Sequence, residues 1–383
     1  MITIQNASAA LKDYYLEAVT AQLNENVSPF FSAIEKTAAN VSGKDVKFTI
    51  VRGGMTSVVA GDESGDLPTP YSNKYYNISL PLKNIFGTIE ISDKAIRASR
   101  DSSGAFVNLL NTEMEGLICS AKANFSRMLF GDGNGTIAIV KSKAESGNVI
   151  YLNDVKKYFS GLTVDILNGS TKVVTGAKIS TVDMEAKSIT VNVSLSSVTL
   201  AEGYKVAVSG VYGKEMIGLS GIFDGTTLYS YSKTGEVFFA PAIKTVSTLT
   251  EDDLVDFIDE LEAQQDSKVN MILCSHASRK KIASLMSDSR RVVNTADIAA
   301  GYSSVIVNDV PVYADKYCPD DRIYLLNTAD FTLNQLCDWE WLEDEDGKII
   351  RQVPGKAAFS ATLVKYAELI CTKPCGQGLI KLS

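Results

Sequence analysis

The side chains that most often carry chemistry are sparse in this chain, and their spacing matches no common catalytic or metal site. His276 is the only histidine, and it follows Cys274 by two residues. The six cysteines include no C-x-x-C pair and stand at positions 119, 274, 318, 337, 371 and 375. No zinc-ligand spacing and no H-E-x-x-H motif are present. The sequence therefore predicts reduced, mostly buried thiols, a structural histidine, and no catalytic, cofactor or metal site.

Two glycine-containing stretches come close to functional loops but depart from them. Gly218-Leu-Ser-Gly is one residue short of the G-x-S-x-G nucleophile elbow. Gly131-Asp-Gly-Asn-Gly135 follows a predicted helix, whereas a phosphate loop precedes the helix whose N-terminus binds the anion. We interpret this second stretch as the C-terminal cap of a helix followed by a turn.

The run from Asp338 to Asp346 holds six carboxylates in nine residues, which suggests a calcium loop. When the run is aligned on Gly347, however, the first and twelfth ligand positions fall on Leu342 and Val353, where carboxylates are required. The pattern instead predicts a solvated hairpin tip. The two tryptophans inside the run, Trp339 and Trp341, are candidate contacts with another subunit.

A basic stretch, Arg279-Lys-Lys281 with Arg290 and Arg291, is the best candidate for nucleic-acid binding. It has no interleaved aromatic residues, and the chain carries a formal net charge of −8. That balance argues against a protein whose main task is to grip nucleic acid, because phosphate neutralisation needs a basic face. Helix-surface charge is the favoured interpretation, and Arg290 and Arg291 are also candidate contacts with a neighbouring subunit.

Composition predicts a globular protein of two or three domains. Of 383 residues, 45% are hydrophobic and 21% are charged, which is enough apolar material for real cores. The sequence begins without a basic stretch that leads into an apolar run, and it holds no run of 18 apolar residues. We therefore expect neither a secretory signal nor a membrane span.

The N-terminal half of the sequence predicts an arm, a hairpin and a long helix. Residues 7–23 are amphipathic, end before Ser28-Pro29, and should lie against another part of an assembly. Two alternating strands follow within 45–90, joined by a polar, glycine-rich excursion that is either an intersubunit arm or an ordinary long hairpin. A helix capped by Ser92 or Asp93 should then run to Phe130, with a break near Ser102-Ser103-Gly104.

The remainder predicts an all-β insertion followed by α/β structure. Short Val- and Thr-rich strands in 136–215 predict a small barrel or sandwich. From residue 245 the pattern becomes α/β, with a capping box at Thr248 and Glu251 and a buried strand at 269–273. A helix should run from Ala277 to about Met286, with strands at 304–307, 311–314 and 322–326 and β ribbons over 331–370.

The order of these parts resembles the HK97-fold major capsid proteins of tailed bacteriophages, here with an inserted β-domain. The resemblance covers nearly the whole chain, and no single motif is diagnostic. Its local sequences are Met128-Leu-Phe-Gly-Asp-Gly133, Gly218-Leu-Ser-Gly-Ile-Phe-Asp224, Asp338-Trp-Glu-Trp-Leu-Glu, Pro354-Gly-Lys-Ala and Ala361-Thr-Leu-Val-Lys-Tyr366.

The resemblance implies an α+β, HK97-type capsid fold. Its expected segments are an N-terminal arm (1–43), an E-loop β-hairpin (44–90), the P-domain spine helix (91–135), an inserted small all-β barrel domain (136–217), an A-domain (218–330), and P-domain return strands with the C-terminus (331–383). The resemblance places an assembly interface in the E-loop, at Arg52, Gly53, Gly54, Asp62, Glu63, Asp66 and Tyr71.

The resemblance also implies a structural role without catalysis. Pentamers and hexamers would close into an icosahedral head around double-stranded DNA, with portal, scaffolding and decoration proteins as partners and no membrane. The protein would assemble in the bacterial host cytoplasm and reside in the virion. An encapsulin-like compartment shell is the alternative, against which the inserted β-domain argues mildly. An enzyme with a β accessory domain is the more remote alternative.

Overall fold

The computed structural model describes residues 28–52, 60, 72–94, 103–143, 147–156, 158, 160–196, 198–288, 305–344 and 346–382. The predicted amphipathic segment 7–23 therefore lies outside the described residues. The helices are α1 Pro29–Ala33, α2 Ser103–Leu129, α3 Leu219–Phe223, α4 Glu251–Gln265 and α5 His276–Asp288.

The strands outnumber the helices and fall into separate sheets. In chain order they are β1 Glu35–Thr37, β2 Val41–Ser42, β3 Asp45–Arg52, β4 Lys74–Pro81, β5 Lys83–Ser92, β6 Thr136–Lys143, β7 Val149–Leu152, β8 Thr163–Asn168, β9 Thr171–Asp183, β10 Ser188–Val191, β11 Lys205–Val208, β12 Thr227–Leu228, β13 Tyr231–Ser232, β14 Ala242–Val246, β15 Met271–Cys274, β16 Val305–Val307, β17 Val310–Ala314, β18 Arg322–Leu326, β19 Phe331–Trp341, β20 Arg351–Gln352, β21 Ala358–Cys371 and β22 Gly378–Leu382.

The first sheet is organised around the long strand β21. β5 pairs antiparallel with one edge of β21, while β19 and β20 pair with the other edge, and β1 adds in parallel to β19. Alternate residues of β21, including Leu363 and Ala367, are buried on the face beneath α2. Phe30 and Phe31 of α1 are buried in the same core, so the end of the predicted N-terminal arm belongs to the subunit body.

Helix α2 lies across this sheet. Its buried residues recur at helical spacing, as the sequence predicts, at Met114, Leu117, Ile118, Phe125 and Leu129. Helix and strand approach closely at Gly87 of β5, where an added Cβ would lie 2.7 Å from Leu117 Cδ1. At about 1.5 Å per residue, the helix is about 40 Å long. Among the residues described, no helix is long and apolar enough to cross a membrane.

The second sheet has the order β14-β22-β18-β15-β17-β16. Ile272 and Ile323 face α4 and α5 on one side and form a core with Leu254, Phe257 and Ile282. The other side, with Met271, Leu273, Tyr324 and Leu326, joins the core beneath α2. The strand alternation therefore divides this part of the chain between two hydrophobic cores.

Three boundaries differ from the sequence prediction. The capping box uses Thr250 and Asp253, because α4 begins at Glu251; Thr250 Oγ1 accepts from Asp253 N at 3.2 Å, and the Asp253 carboxylate accepts from Thr250 N at 3.1 Å. β5 belongs to the first sheet and not to the hairpin, which ends at Pro81. β22 pairs with β14 and β18 in the second sheet and not with the strands of 331–371. In this position Leu379 and Ile380 are both fully buried, each in a different hydrophobic core.

Six strands between residues 136 and 208 form a closed barrel in the order β10-β7-β6-β11-β8-β9. Its interior is a separate hydrophobic cluster that includes Val140, Ile150, Ile166 and Val206. The chain enters the barrel after α2 and returns to the end of the same helix before α3. The entry and exit segments touch there through an isolated bridge between Asp132 and Ile217.

Gly218 is the residue at which the returning chain crosses the end of α2, and we expect no other residue to fit there. A Cβ at Gly218 would lie 2.2 Å from the carbonyl oxygen of Met128 and 2.6 Å from that of Leu129. Because both obstacles are backbone atoms, Gly218→Ala should destabilise the subunit by more than about 2 kcal/mol.

Gly116→Ala is the matched control for this substitution. Gly116 lies in α2 with nothing within 4 Å of its added Cβ, so alanine should stabilise the helix by about 0.5–1 kcal/mol. Urea unfolding of the unassembled chain measures both changes. Equal stability of Gly218→Ala and the unchanged chain would contradict the crossing geometry.

Candidate assembly surfaces

The hairpin of β3 and β4 has one face packed on the subunit and one face open to solvent. The cross-strand pair Ile50 and Tyr76 is buried. The next pair, Val51 and Tyr75, points to the opposite face and is 51% and 62% exposed. Large apolar side chains on an open strand face are candidates for contact with another subunit.

An aromatic cluster from residues 229–239 fixes the base of this hairpin. The Tyr76 ring centroid lies 5.3 Å from that of Tyr231 and 5.1 Å from that of Phe239, both edge-on. The carboxylate of Glu236 accepts a hydrogen bond from Tyr76 OH at 2.6 Å and forms an ion pair with Lys74 Nζ. The side chains of Lys74 and Tyr76 lower the pKa of Glu236, so it stays ionised. The direction in which the hairpin leaves the subunit is therefore set by its own chain.

The predicted E-loop interface residues fall mostly beyond this base. Arg52 is the last described residue of β3, and its guanidinium carbon lies 5.8 Å from the Phe238 ring centroid. The structure brings Arg52 together with the aromatic cluster. The remaining predicted residues lie outside the described part of the chain and stay predictions: Gly53, Gly54, Asp62, Glu63, Asp66 and Tyr71.

The two tryptophans predicted as subunit contacts are buried in the chain's own core. Trp339 is 3% exposed and Trp341 is 4% exposed, and the Trp339 ring lies edge-on to Phe125 of α2 at 6.2 Å. A contact of either indole with another subunit stays a prediction, and their burial leaves little surface for it. Arg290 and Arg291, the other predicted contacts, lie outside the described residues.

A buried lysine lies beside Trp339 and was not predicted from the sequence. Lys365 has no exposed side-chain surface, and its Nζ lies 2.6 Å from Asp338 Oδ1 and 2.8 Å from Gln335 Oε1. Burial lowers its pKa, and the Asp338 carboxylate acts in the opposite direction. The first carboxylate of the acidic run therefore neutralises an internal charge. Its later members Glu343, Asp344 and Asp346 are exposed, as expected of a hairpin tip.

His276 and Cys274, the residues that the sequence analysis considered for chemistry, do not form a reactive site together. His276 is the first residue of α5 and is exposed, whereas Cys274 is buried at the end of β15. Burial raises the pKa of the Cys274 thiol to about 12, which keeps it protonated and unreactive. Within the described ranges, no group of three His, Cys, Asp or Glu side chains could hold a metal ion.

The barrel is attached to helix α2 by charges buried at the end of that helix. Both nitrogens of the Arg127 fork bind the Glu215 carboxylate, with Nη1 at 3.0 Å from Oε2, and both side chains are buried. Two residues later, the Ile217 backbone N–H donates to Glu368 Oε1 at 2.7 Å. Burial raises the pKa of Glu368 to about 8, against the opposing effects of this hydrogen bond and of Lys83. One short segment, residues 215–218, thus joins the barrel, the helix and the first sheet.

Sequence comparison gives no relative, since no protein-family model and no curated protein matches the chain. Comparison with solved structures does. The capsid asymmetric unit of cyanophage A-1(L) aligns at a TM-score of 0.56 with 12% identity, over 92% of this chain and 92% of that chain. The capsid of a native GTA particle aligns at a TM-score of 0.50 with 10% identity, over 94% of this chain and 91% of that one. The SrpI encapsulin of Synechococcus elongatus PCC 7942 aligns at 0.46 with 11% identity, over 93% and 88%.

The first two alignments span nearly the full length of both chains. The predicted α+β capsid fold is therefore confirmed. At these identities the alignments establish the fold and leave the individual surfaces to be argued from this chain's own residues.

Replacement of Glu368 by glutamine should show how much unfolding free energy the chain loses when the buried Glu368 ionises. Its folded pKa of about 8 lies above the ordinary value of 4.5, so its stabilising contribution is complete below about pH 4.5 and is lost as pH rises through 8. Glu368→Gln keeps an oxygen acceptor for Ile217 N–H and cannot ionise. The gain in unfolding free energy over the unchanged chain should be larger at pH 9 than at pH 5, by roughly 2–4 kcal/mol. Urea unfolding at the two pH values measures it, and a gain independent of pH would refute the assignment.

Proposed function

We propose that this chain, which has the fold of bacteriophage capsid proteins, is the major capsid protein of a tailed bacteriophage and performs no catalysis. The observation that carries the proposal is the alignment to the cyanophage capsid over 92% of both chains. The order of parts agrees with an HK97-type subunit: a hairpin, a long helix above a sheet, and a second α/β layer. On this assignment the barrel at 136–217 is an insertion between the spine helix and the A-domain.

The proposed assembly is an icosahedral head built from pentamers and hexamers of this chain. It encloses double-stranded DNA without reading sequence, which a subunit of net charge −8 can do because it surrounds the DNA and does not grip it. Portal, scaffolding and decoration proteins are the expected partners. Assembly takes place in the bacterial host cytoplasm, and the product is the virion shell.

The proposed mechanism is burial of surfaces that one subunit leaves open. The outer face of the hairpin carries Val51 and Tyr75 and extends toward the predicted E-loop interface, while its inner face is already packed on the aromatic cluster. Contacts of modest strength suffice, because a closed symmetric shell repeats each of them many times. A compartment shell of the encapsulin type is the second candidate, and it would enclose protein instead of DNA.

Electron microscopy of the purified recombinant chain tests the proposal, together with analytical ultracentrifugation. Shells, rings or tubes are expected. Nucleic-acid absorbance of particles isolated from the native source separates the two candidates, since only a phage head contains DNA. A chain that stays monomeric at high concentration, even with its scaffolding protein, would refute a shell function.

Deletion of residues 53–68 should separate folding from assembly. The described base of the hairpin is held by Tyr76, Tyr231 and Glu236, which the deletion leaves in place. We expect a soluble, folded subunit with an unchanged circular dichroism spectrum that forms no shells. Normal particles from this deletion would show that the E-loop is dispensable.

Two neighbouring tyrosines offer a sharper comparison. Tyr75→Ser removes a side chain that is 62% exposed, so subunit stability should stay within about 0.5 kcal/mol while the yield of particles falls. Tyr76→Ser removes a buried ring and its bond to Glu236, and should cost about 3 kcal/mol in unfolding free energy. Urea unfolding and particle counts by electron microscopy measure the two effects. If Tyr75→Ser forms particles in full yield, the outer face of the hairpin is not part of the assembly interface.

A further inference from the structure

A groove of about 810 Å³ lies between β5, the second half of α2 and the segment by which the chain leaves the barrel. Its lining is largely apolar and includes Leu82, Ile85, Leu117 and Val211. The consecutive residues 81–87 all line it, although side chains along a strand alternate between the two faces of a sheet. The groove therefore runs beside the edge of β5, over a length of about 20 Å.

The edge of β5 that borders the groove is free. β5 pairs with β21 on one side, and no other strand of the described residues pairs with it. The register with β21 is unbroken, and Asp93 N donates to Ala357 O at 2.9 Å. In an antiparallel pair only alternate residues bond to the partner strand, so the odd-numbered residues of β5 bond to β21. The backbone N–H and C=O groups of Asn84 and Phe86 therefore point toward the groove.

Two lysines give the groove a positive charge. Lys83 and Lys214 line it, and neither has an ion-pair partner in the part of the chain that the structure describes. The third cation of the lining, Arg127, is matched by Glu215. Glu368 lies near Lys83, but burial raises the pKa of its carboxyl group to about 8, so it is mostly uncharged at pH 7. A ligand that carries carboxylates is therefore favoured.

The free edge, the apolar lining and the charge together select an extended acidic polypeptide. A free strand edge binds such a segment through main-chain hydrogen bonds, and an apolar wall receives its alternate side chains. The hairpin of a second copy fits poorly, because its edge strand β4 carries Lys74 and no carboxylate. The charge thus favours a segment of another protein.

We propose that the free edge of β5 binds an extended, acidic segment of a second protein as an additional strand of the first sheet. Apolar side chains alternate with carboxylates in this segment. The inference goes beyond the proposed shell function, because the groove is formed within one chain and can be occupied before any shell exists.

A synthetic peptide tests the groove directly. Fluorescein-labelled VEVEVEV has the length of the stretch 81–87, and fluorescence anisotropy follows its binding to the dilute, unassembled full-length chain. VKVKVKV should bind at least about tenfold more weakly, since its cations would approach Lys83 and Lys214. Two further versions of VEVEVEV carry N-methyl groups on alternate backbone nitrogens. One version should lose binding and the other should keep it, because only every second N–H faces β5.

Substitutions in the chain test the same contacts from the other side. Phe86→Pro removes an N–H that faces the groove and no bond to β21, which an edge strand tolerates. The peptide should bind about tenfold more weakly to it than to Phe86→Ala, which keeps that N–H. Lys214→Glu should weaken binding by about fivefold or more. Lys178→Glu makes the same change on an exposed lysine of β9 outside the groove, and should leave binding unchanged.

Three results would overturn the proposal. The first is that VEVEVEV does not bind, or binds no better than VKVKVKV. The second is equal binding of the two N-methylated peptides, which would mean that the segment does not add as a strand. Both are measured on the unchanged chain, so they do not depend on the folding of a variant. The third is peptide binding that weakens as the concentration of the chain rises, which would mean that a second copy occupies the edge.

Discussion

The buried ion pair at the C-terminal end of the long helix α2 is the interaction on which the rest of the fold depends. Arg127 and Glu215 are both removed from water there, and two buried charges are tolerable only when each satisfies the other with good geometry. That geometry exists because the chain returns from the barrel over Gly218, against the last carbonyl oxygens of α2. The barrel, the helix and the first sheet are therefore positioned by one segment of four residues, 215–218, and a shift of any of them would expose or separate the pair.

The two faces of the β3–β4 hairpin have different surroundings: one is buried and the other is exposed. A one-residue step along β3 and β4 exchanges the buried pair Ile50 and Tyr76 for the exposed pair Val51 and Tyr75. The chain thus uses one face of the ribbon to fix its direction, and it leaves the other face exposed to solvent. The proposed shell of many copies would need this arrangement, because weak contacts add up only if every copy presents them at the same angle.

Local patterns in the sequence predicted the elements well, and long-range pairing accounts for what they missed. The buried stripe of α2 follows from spacing alone. Thr248 with Glu251 and Thr250 with Asp253 both fit a capping box, and only the position where the helix begins decides between them. Lys365 occupies an inward position of β21, but its partner Asp338 is found only through the register of β19, which contains two irregularities. The sequence predicts the two tryptophans as candidate contacts with another subunit, whereas strand alternation and those irregularities turn both indoles into the chain's own core.

The position of β22 bears on the timing of folding during synthesis. This strand pairs on one side with β14 and on the other with β18, so the middle of the second sheet stays open until residue 382 has left the ribosome. Such distant pairing makes closure of the sheet a late step. A nascent chain whose hairpin and long helix α2 have already been made still lacks a closed second sheet.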